Sequence, residues 1–252
     1  MKAVTFTRVG IALALLACAD LAQRAAAATA KITIGVNQNM SANLVTPDGP
    51  GPYPGVVVLH TSGGLGSPDM EYAKQLSRAG YACLVPAFMD AYHITGANRV
   101  ATFTTYHDRI YADLVDGVDR LRRMDKVAGR KIGAVGFSNG GYWAAALAAA
   151  GKVEAGVSYY GVLSGFGGET RRHLKESVTG ASSPILILHG LNDTVQPVDG
   201  AWFLNRLLGA AGAPHDMQLY SAGHDFERDG RNADAAADAW KRTLTFFNTY
   251  LQ

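Results

Sequence analysis

The sequence predicts an α/β fold in which helices cover both faces of a mostly parallel central sheet. Short runs rich in Val, Ile, Leu and Ala alternate with longer segments whose apolar residues recur at helical spacing. The run 55–60 is apolar almost throughout, which is typical of a strand covered on both faces. With 252 residues, 48% hydrophobic and 17% charged, the chain suits one domain with a substantial core.

The first 30 residues have the pattern of a signal peptide. Lys2 and Arg8 precede an apolar stretch over 11–17, and small residues follow that stretch. We therefore predict a signal peptide at 1–30, a mature domain at 31–252, and export to the periplasm or the medium. The apolar stretch is too short to cross a bilayer, so no membrane span is expected.

The two cysteines carry different expectations. Residues 15–18 resemble a bacterial lipoprotein box, so a lipid anchor at Cys18 is an alternative to simple cleavage before Lys31, and the small residues at 17–19 offer a second cleavage site. Cys83 lies in an apolar, strand-like run and would be left without an intramolecular partner. No disulfide is therefore expected, even in an oxidising compartment.

The charge of the chain belongs to its N-terminal segment. The formal net charge is +2, and residues 1–30 supply it through Lys2, Arg8 and Arg24 against Asp20. The remaining domain is neutral and has no basic run, so no nucleic-acid partner is expected. Nothing in the sequence determines the oligomeric state, and a monomer is our expectation.

The predicted elements follow in order along the mature chain. Alternating residues at 31–36 and a short segment at 41–45 predict an antiparallel edge pair. Further strands are predicted at 55–60, 81–86, 153–160, 185–189 and 216–220, helices at 68–79, 109–124, 202–208 and 233–251, and a strand-turn-helix unit at 132–147. Carboxyl ends of parallel strands meet at one edge, where a ligand is expected, with segment 90–109 as a cap over its pocket or a wall of it.

The strand-turn-helix unit contains the motif Gly136-Phe-Ser-Asn-Gly140. A serine at the apex of such a turn requires residues without side chains two positions before and two after it, as here. The following helix would favour negative charge near the serine hydroxyl. We therefore predict that Ser138 is a nucleophile. The alternative is a serine that merely ends a Gly-rich loop.

A nucleophilic serine needs a histidine base and an acid that orients the histidine. In this architecture the acid and then the histidine follow the nucleophile along the chain. Asp193 comes just after the strand 185–189, and His224 comes just after the strand that ends at 220. Ser138, Asp193 and His224 are therefore the predicted catalytic residues. The other candidates are weaker, and we interpret two of them, His60 and His189, as packing or loop support.

Two backbone amides are predicted to bind the developing oxyanion. One belongs to Asn139, directly after the nucleophile, and the other to Ser62 in the loop after the strand 55–60, with Thr61 as its neighbour. Ser62 as an ordinary loop serine is the alternative. The histidines are dispersed and the acidic residues do not cluster, so no metal is predicted. The glycines at 63–66 lack the spacing of a dinucleotide or phosphate loop, so no cofactor is predicted either.

Five segments together resemble the dienelactone hydrolase family of α/β-hydrolases over nearly all of the mature region. They are 54–60, 136–141, 157–161, 184–193 and 222–226. The resemblance implies the α/β-hydrolase fold and a triad of nucleophile, Asp and His, which matches Ser138, Asp193 and His224 position by position.

The chain departs from that family at two points. Founding members have a cysteine nucleophile and a glutamate in the loop after the third strand, where this chain has Ser138 and Thr61. Those members also bind a substrate carboxylate with two arginines, and here Arg228 matches one while Ala91 stands at the other. Thiolate chemistry is therefore not expected, and dienelactone itself is a doubtful substrate.

These patterns predict an exported serine hydrolase that cleaves small carboxylic esters or lactones through an acyl-enzyme. Thr61 and Arg228 are candidate substrate-binding residues, although a surface salt bridge is an equal alternative for Arg228. Two other functions stay open at this point: a peptidase or amidase on the same fold, and a catalytically silent binding protein.

Overall fold

A computed structural model describes residues 27–165, 168–228 and 230–252. The predicted signal peptide therefore lies outside the described residues, apart from 27–30. Within the described ranges, no helix has both the length and the apolar character that crossing a membrane requires.

Eight strands form one sheet in the spatial order β1-β2-β4-β3-β5-β6-β7-β8. β1 pairs with β2 and β2 pairs with β4 in antiparallel fashion, and every other neighbouring pair is parallel. The predicted mostly parallel sheet with an antiparallel edge pair is confirmed. The strands are Ala28–Ile34 (β1), Met40–Thr46 (β2), Gly55–Leu59 (β3), Ala82–Pro86 (β4), Ile132–Phe137 (β5), Ala155–Tyr159 (β6), Ile185–Gly190 (β7) and His215–Tyr220 (β8).

Helices cover both faces of the sheet, as predicted. Buried apolar side chains from α1 and α6 pack on one face, and those from α2, α3, α4 and α5 pack on the other. The helices are Ser67–Arg78 (α1), His107–Arg123 (α2), Asn139–Ala149 (α3), Glu169–Ser177 (α4), Asp199–Ala211 (α5) and Ala233–Leu251 (α6).

Helix α3 occupies the centre of the molecule, and every one of its residues is buried. Its many Gly and Ala residues allow the close approach that this position needs. A Cβ built on Gly156 of β6, for example, would lie 2.7 Å from the Cβ of Ala148. Since α3 begins directly after β5, its amino terminus is fixed at the carboxyl edge of the sheet.

The sequence did not predict helix α4 or the two short 3-10 turns at Asp90–Tyr92 and Gly96–Thr102. Helix α4 is short and mostly charged, and only Thr170 and Leu174 are buried, so it has no periodic apolar face. Both 3-10 turns lie in the segment that was predicted to form a cap over the pocket or a wall of it.

Candidate active site

Ser138 lies at the sharp turn between β5 and α3 with φ of 52° and ψ of −108°. A non-glycine residue with positive φ is strained, so its neighbours must hold it. The Ser138 amide donates to the carbonyl of Tyr159 at 3.0 Å, and its carbonyl accepts from the amide of Val162 at 3.1 Å. These bonds to the end of β6 and the chain beyond it fix the turn, and the Ser138 side chain is only slightly exposed.

The glycines on either side of Ser138 are required by close backbone contacts. A Cβ built on Gly136 would lie 2.0 Å from the carbonyl oxygen of Gly140, and one built on Gly140 would lie 2.1 Å from that of Leu59. Both distances are far below van der Waals contact. The turn can therefore form only where both positions lack a side chain.

Asp193 and His224 form a hydrogen-bonded pair at the same edge of the sheet. Asp193 follows β7 and is buried, and its Oδ2 lies 2.7 Å from Nδ1 of His224. Its Oδ1 accepts from the amides of Val195 and Gln196 at 2.9 and 2.8 Å.

The state of Asp193 determines the tautomer of His224. Burial favours a higher pKa for the Asp193 carboxyl, but the hydrogen bonds from His224 and the loop amides outweigh burial and hold that pKa below its ordinary value. An ionised carboxylate only accepts hydrogen bonds, so Nδ1 of His224 carries the proton that it donates. Nε2 of the neutral imidazole is then an acceptor, available to take a proton.

Tyr160 connects the histidine to the end of β6, the strand that lies between β5 and β7. Its ring centroid is 4.5 Å from that of His224. Ser138 and His224 thus lie at the same edge, but in the described part of the chain no hydrogen bond joins the Ser138 hydroxyl to the imidazole. In free enzymes such bonds are often long and tighten when substrate binds.

The two backbone amides predicted to bind the oxyanion, those of Asn139 and Ser62, are both free to donate a hydrogen bond. Neither Asn139 nor Ser62 donates its amide proton to an acceptor in the described residues. The Gly140 amide donates to the His60 carbonyl at 3.0 Å, which joins the start of α3 to the end of β3. The side-chain amide of Asn139 donates to Ser62 Oγ at 3.2 Å and to Thr102 Oγ1 at 3.1 Å. Asn139 therefore ties together the two loops that border the nucleophile.

Thr61 and Arg228 have intramolecular partners. The Thr61 hydroxyl accepts from the Gly63 amide at 3.2 Å, and the Thr61 carbonyl accepts from Nδ1 of His60 at 2.7 Å. Arg228 donates through Nη2 to Asp69 at 2.9 Å and through Nε to Glu227 at 2.6 Å. Burial alone would lower the pKa of Arg228, but the acidic groups around it raise that pKa, so the guanidinium is charged.

His189 and His60, which were interpreted as packing or loop support, have surroundings that fit this interpretation. His189 is buried, and its Nε2 donates to the carbonyl of Gln196 at 2.8 Å, which holds the loop that carries Asp193. His60 stacks on Phe88 with ring centroids 4.0 Å apart. Burial lowers the pKa of both imidazoles.

Tyr160, Thr102 and Glu227 are site neighbours for which no functional role was predicted from the sequence. Tyr160 lies inside a segment quoted for the family resemblance, and this was the one available signal for it. Within the described ranges, no cluster of three or more His, Cys, Asp or Glu side chains is arranged to hold a metal ion. Cys83 is buried and free.

Comparisons with a family model and with individual relatives indicate the same family. Residues 40–251 match the model of the dienelactone hydrolase family. A carboxymethylenebutenolidase of Rhodococcus opacus is 26% identical over 229 residues, which cover 80% of this chain and 89% of the relative.

Solved structures share the fold at lower sequence identity. A dienelactone hydrolase-like promiscuous phosphotriesterase from metagenomic libraries has a TM-score of 0.75 and 22% identity, over 90% of this chain and all of that one. An acylaminoacyl peptidase of Pyrococcus horikoshii has a TM-score of 0.73 and 16% identity, over 93% of this chain and 43% of that one.

Proposed function

Because the chain belongs to the dienelactone hydrolase family of α/β-hydrolases, we propose that it is an exported serine hydrolase that cleaves carboxylic esters or lactones. The observation that carries this proposal is the strained Ser138 at the same sheet edge as the hydrogen-bonded pair of Asp193 and His224. Nucleophilic catalysis by serine requires a histidine base and an acid that orients the histidine, and the pair of Asp193 and His224 can supply both.

In the first half of the reaction, Ser138 Oγ attacks the carbonyl carbon of the substrate and Nε2 of His224 takes the hydroxyl proton. Ionised Asp193 stabilises the imidazolium through its bond to Nδ1. The carbonyl oxygen becomes an oxyanion, which the unengaged amides of Asn139 and Ser62 bind. When the tetrahedral intermediate collapses, the alkoxide leaves with the proton from His224, and the acyl group stays on Ser138.

In the second half, His224 removes a proton from water, and the resulting hydroxide attacks the acyl carbonyl. The same two amides bind the second oxyanion. Collapse of this intermediate breaks the bond to Ser138 Oγ, which regains its proton from His224, and the free carboxylic acid is released. In a lactone the alcohol and acyl parts stay connected, so the product is a single hydroxy acid.

We include lactones in the proposal because of the activity in the name of a relative. One relative is named carboxymethylenebutenolidase, and a butenolide is an unsaturated lactone. The likeness to acylaminoacyl peptidase is a likeness of fold, and fold by itself does not determine the bond that is cleaved. Amide cleavage is therefore the competing activity to measure.

We expect Ser138→Ala to lower kcat for p-nitrophenyl acetate and p-nitrophenyl butyrate by at least about a thousandfold, because the acyl-enzyme can no longer form. The matched control is Ser221→Ala, which changes an exposed serine on the loop before His224 and should keep wild-type kcat. A γ-lactone and a p-nitroanilide are assayed beside the esters.

Equal traces of ester hydrolysis in wild type and Ser138→Ala would contradict the proposed mechanism and would favour a binding function. A higher kcat/KM on the anilide than on every ester would favour an amidase instead.

A further inference from the structure

Four side chains form a largely buried ionic network beside the site: Asp69, Tyr160, Glu227 and Arg228. The Tyr160 hydroxyl donates to Oε1 of Glu227, and the same oxygen accepts from Nε of Arg228 at 2.6 Å. Nη2 of Arg228 then donates to Oδ1 of Asp69 at 2.9 Å. The network is thus continuous from Tyr160 to Asp69.

Each end of the ionic network contacts a different part of the proposed machinery. At one end, the Tyr160 ring packs on the imidazole of His224 at 4.5 Å. At the other end, Oδ2 of Asp69 accepts from the amide of Gly66 at 2.9 Å, and Gly66 ends the loop that contains Ser62. The network therefore links the general base to the loop that contributes the Ser62 amide.

The middle of the ionic network lies over the strand that carries the nucleophile. The guanidinium carbon of Arg228 is 4.3 Å from the centroid of the Phe137 ring, and Phe137 directly precedes Ser138. Two carboxylates flank this one guanidinium. Its positive charge is therefore largely compensated before any anionic substrate group could approach.

Stability alone is a weak explanation for these contacts. The Glu227 side chain is 7% exposed, and its Oε2 is buried without a hydrogen-bond partner in the described residues. Buried ion pairs are often no better for stability than apolar side chains of the same volume, and an unsatisfied oxygen adds a cost. Tyr160 is also strained, with φ of 35°. Strain and burial of this kind cluster at functional sites.

We propose that the ionic network is a positioning device for the catalytic histidine, in which Tyr160 is the positioning residue and Arg228 is a link rather than an anchor for substrate carboxylates. This inference rests on the proposed serine hydrolase function. The bond from Tyr160 to Glu227 fixes the hydroxyl end of the tyrosine and so the place that its ring occupies beside His224, and that ring limits the orientations open to the imidazole.

The first test is Tyr160→Phe, which keeps the ring against His224 and removes only the hydroxyl. We expect kcat for p-nitrophenyl butyrate to fall roughly tenfold to a hundredfold with KM within about twofold, because a small misplacement of a catalytic group lowers the rate of the chemical step. The matched control is Tyr81→Phe, which removes a buried tyrosine hydroxyl bonded to Asn248 at 2.7 Å, at the opposite edge of the sheet. Equal kcat in the two variants would overturn the proposal.

The second test does not depend on turnover. We expect the proton NMR signal of the His224 Nδ1 proton to shift and to exchange faster with solvent in Tyr160→Phe, and to stay as in wild type in Tyr81→Phe. If wild type hydrolyses no ester but this signal responds, the proposed function fails and the positioning role stands. If Ser138→Ala is inactive, wild type is active and this signal is unchanged in Tyr160→Phe, only the positioning role fails.

The third test asks whether Arg228 connects Glu227 to Asp69 or binds a substrate carboxylate. It compares Arg228→Met with wild type on two esters, p-nitrophenyl butyrate and the anionic mono-p-nitrophenyl succinate. If Arg228 only connects Glu227 to Asp69, kcat should fall by a similar factor for both esters. It also predicts that adding Tyr160→Phe lowers kcat little further, since members of one network are not additive. A rise in KM confined to the succinate ester would overturn the role of Arg228. Should Arg228→Met fail to fold, Tyr160→Phe still decides the proposal.

Discussion

His60 and His189 show how position in the fold sets the chemistry of a side chain. Both imidazoles are completely buried next to the candidate active site, and burial lowers the pKa of both. Each uses one ring nitrogen to donate to a backbone carbonyl, of Thr61 and of Gln196 respectively. They therefore support the loops that contain Ser62 and Asp193 as neutral donors. Their second ring nitrogens are buried, whereas His224 is partly exposed and so can exchange a proton with a substrate.

These neutral histidines predict acid sensitivity. In the unfolded chain each would take up a proton as the pH falls below its ordinary pKa of 6.5, but the folded state resists protonation. The unfolded state then binds more protons, so the free energy of unfolding falls by up to about 1.4 kcal/mol per histidine for each pH unit below 6.5. We expect the Tm measured by calorimetry to drop between pH 6.5 and pH 5.

The control for this prediction is a pair of variants. His189→Gln keeps a donor for the Gln196 carbonyl but cannot titrate, so it should reduce the drop in Tm. His93→Gln changes an exposed histidine and should leave the drop unchanged. Asp193 has its pKa lowered below 3.8, so its contribution is lost only at more acidic pH. A Tm that stays constant from pH 7 to pH 5 would contradict the argument.

At the scale of elements, the unit of β5, Ser138 and α3 combines a strand whose penultimate residue, Gly136, has no room for a side chain and a helix rich in Gly and Ala. Hydrophobic period and the two glycines were enough to predict this unit, because its requirements are local. Helix α4 and the 3-10 turn Gly96–Thr102 were not predictable in this way. Their places depend on partners distant in sequence, such as the bond from Asn139 to Thr102.

Substitution of a glycine at the junction of β5 and α3 should strongly destabilise the folded protein. Gly136→Ala would place a Cβ 2.0 Å from the Gly140 carbonyl oxygen, and we expect a loss of about 4 kcal/mol or more in the free energy of unfolding. The control is Gly209→Ala within α5, where a Cβ meets nothing closer than 3.6 Å. That change should stabilise the protein by roughly 0.5–1 kcal/mol, because Ala is the better helix former. Urea unfolding measures both, and similar stabilities would refute the steric argument.

At the scale of the whole molecule, the spatial order of the sheet brings together residues that the chain separates widely. Ser138, Asp193 and His224 follow β5, β7 and β8, and all three lie at the carboxyl edge. The antiparallel pair of β1 and β2 lies at the opposite end of the sheet from β7 and β8, the strands that Asp193 and His224 follow.

We propose export of the whole chain, and this makes a prediction about its N-terminus. In a bacterial host, mass spectrometry should find a mature chain that begins at Lys31. Cleavage there would remove 28–30, which pair with 44–46 and are exposed, and would leave 31–34 paired with 40–43. Cys18→Ser should not alter this product. An intact Met1, or membrane association that Cys18→Ser abolishes, would contradict simple cleavage.

The sequence by itself determined the fold class, the order of nearly all main elements and the choice of Ser138, Asp193 and His224 as candidates. Hydrophobic period, turn residues and side-chain chemistry are local properties, so they can be recognised without coordinates. Only the tertiary structure decided what surrounds those candidates. The bond between Arg228 and Asp69 joins residues 159 positions apart, and no local pattern encodes such a pair. It exists because the packing of many side chains places the start of α1 next to the chain that follows β8, with Arg228 over the Phe137 ring at the end of β5.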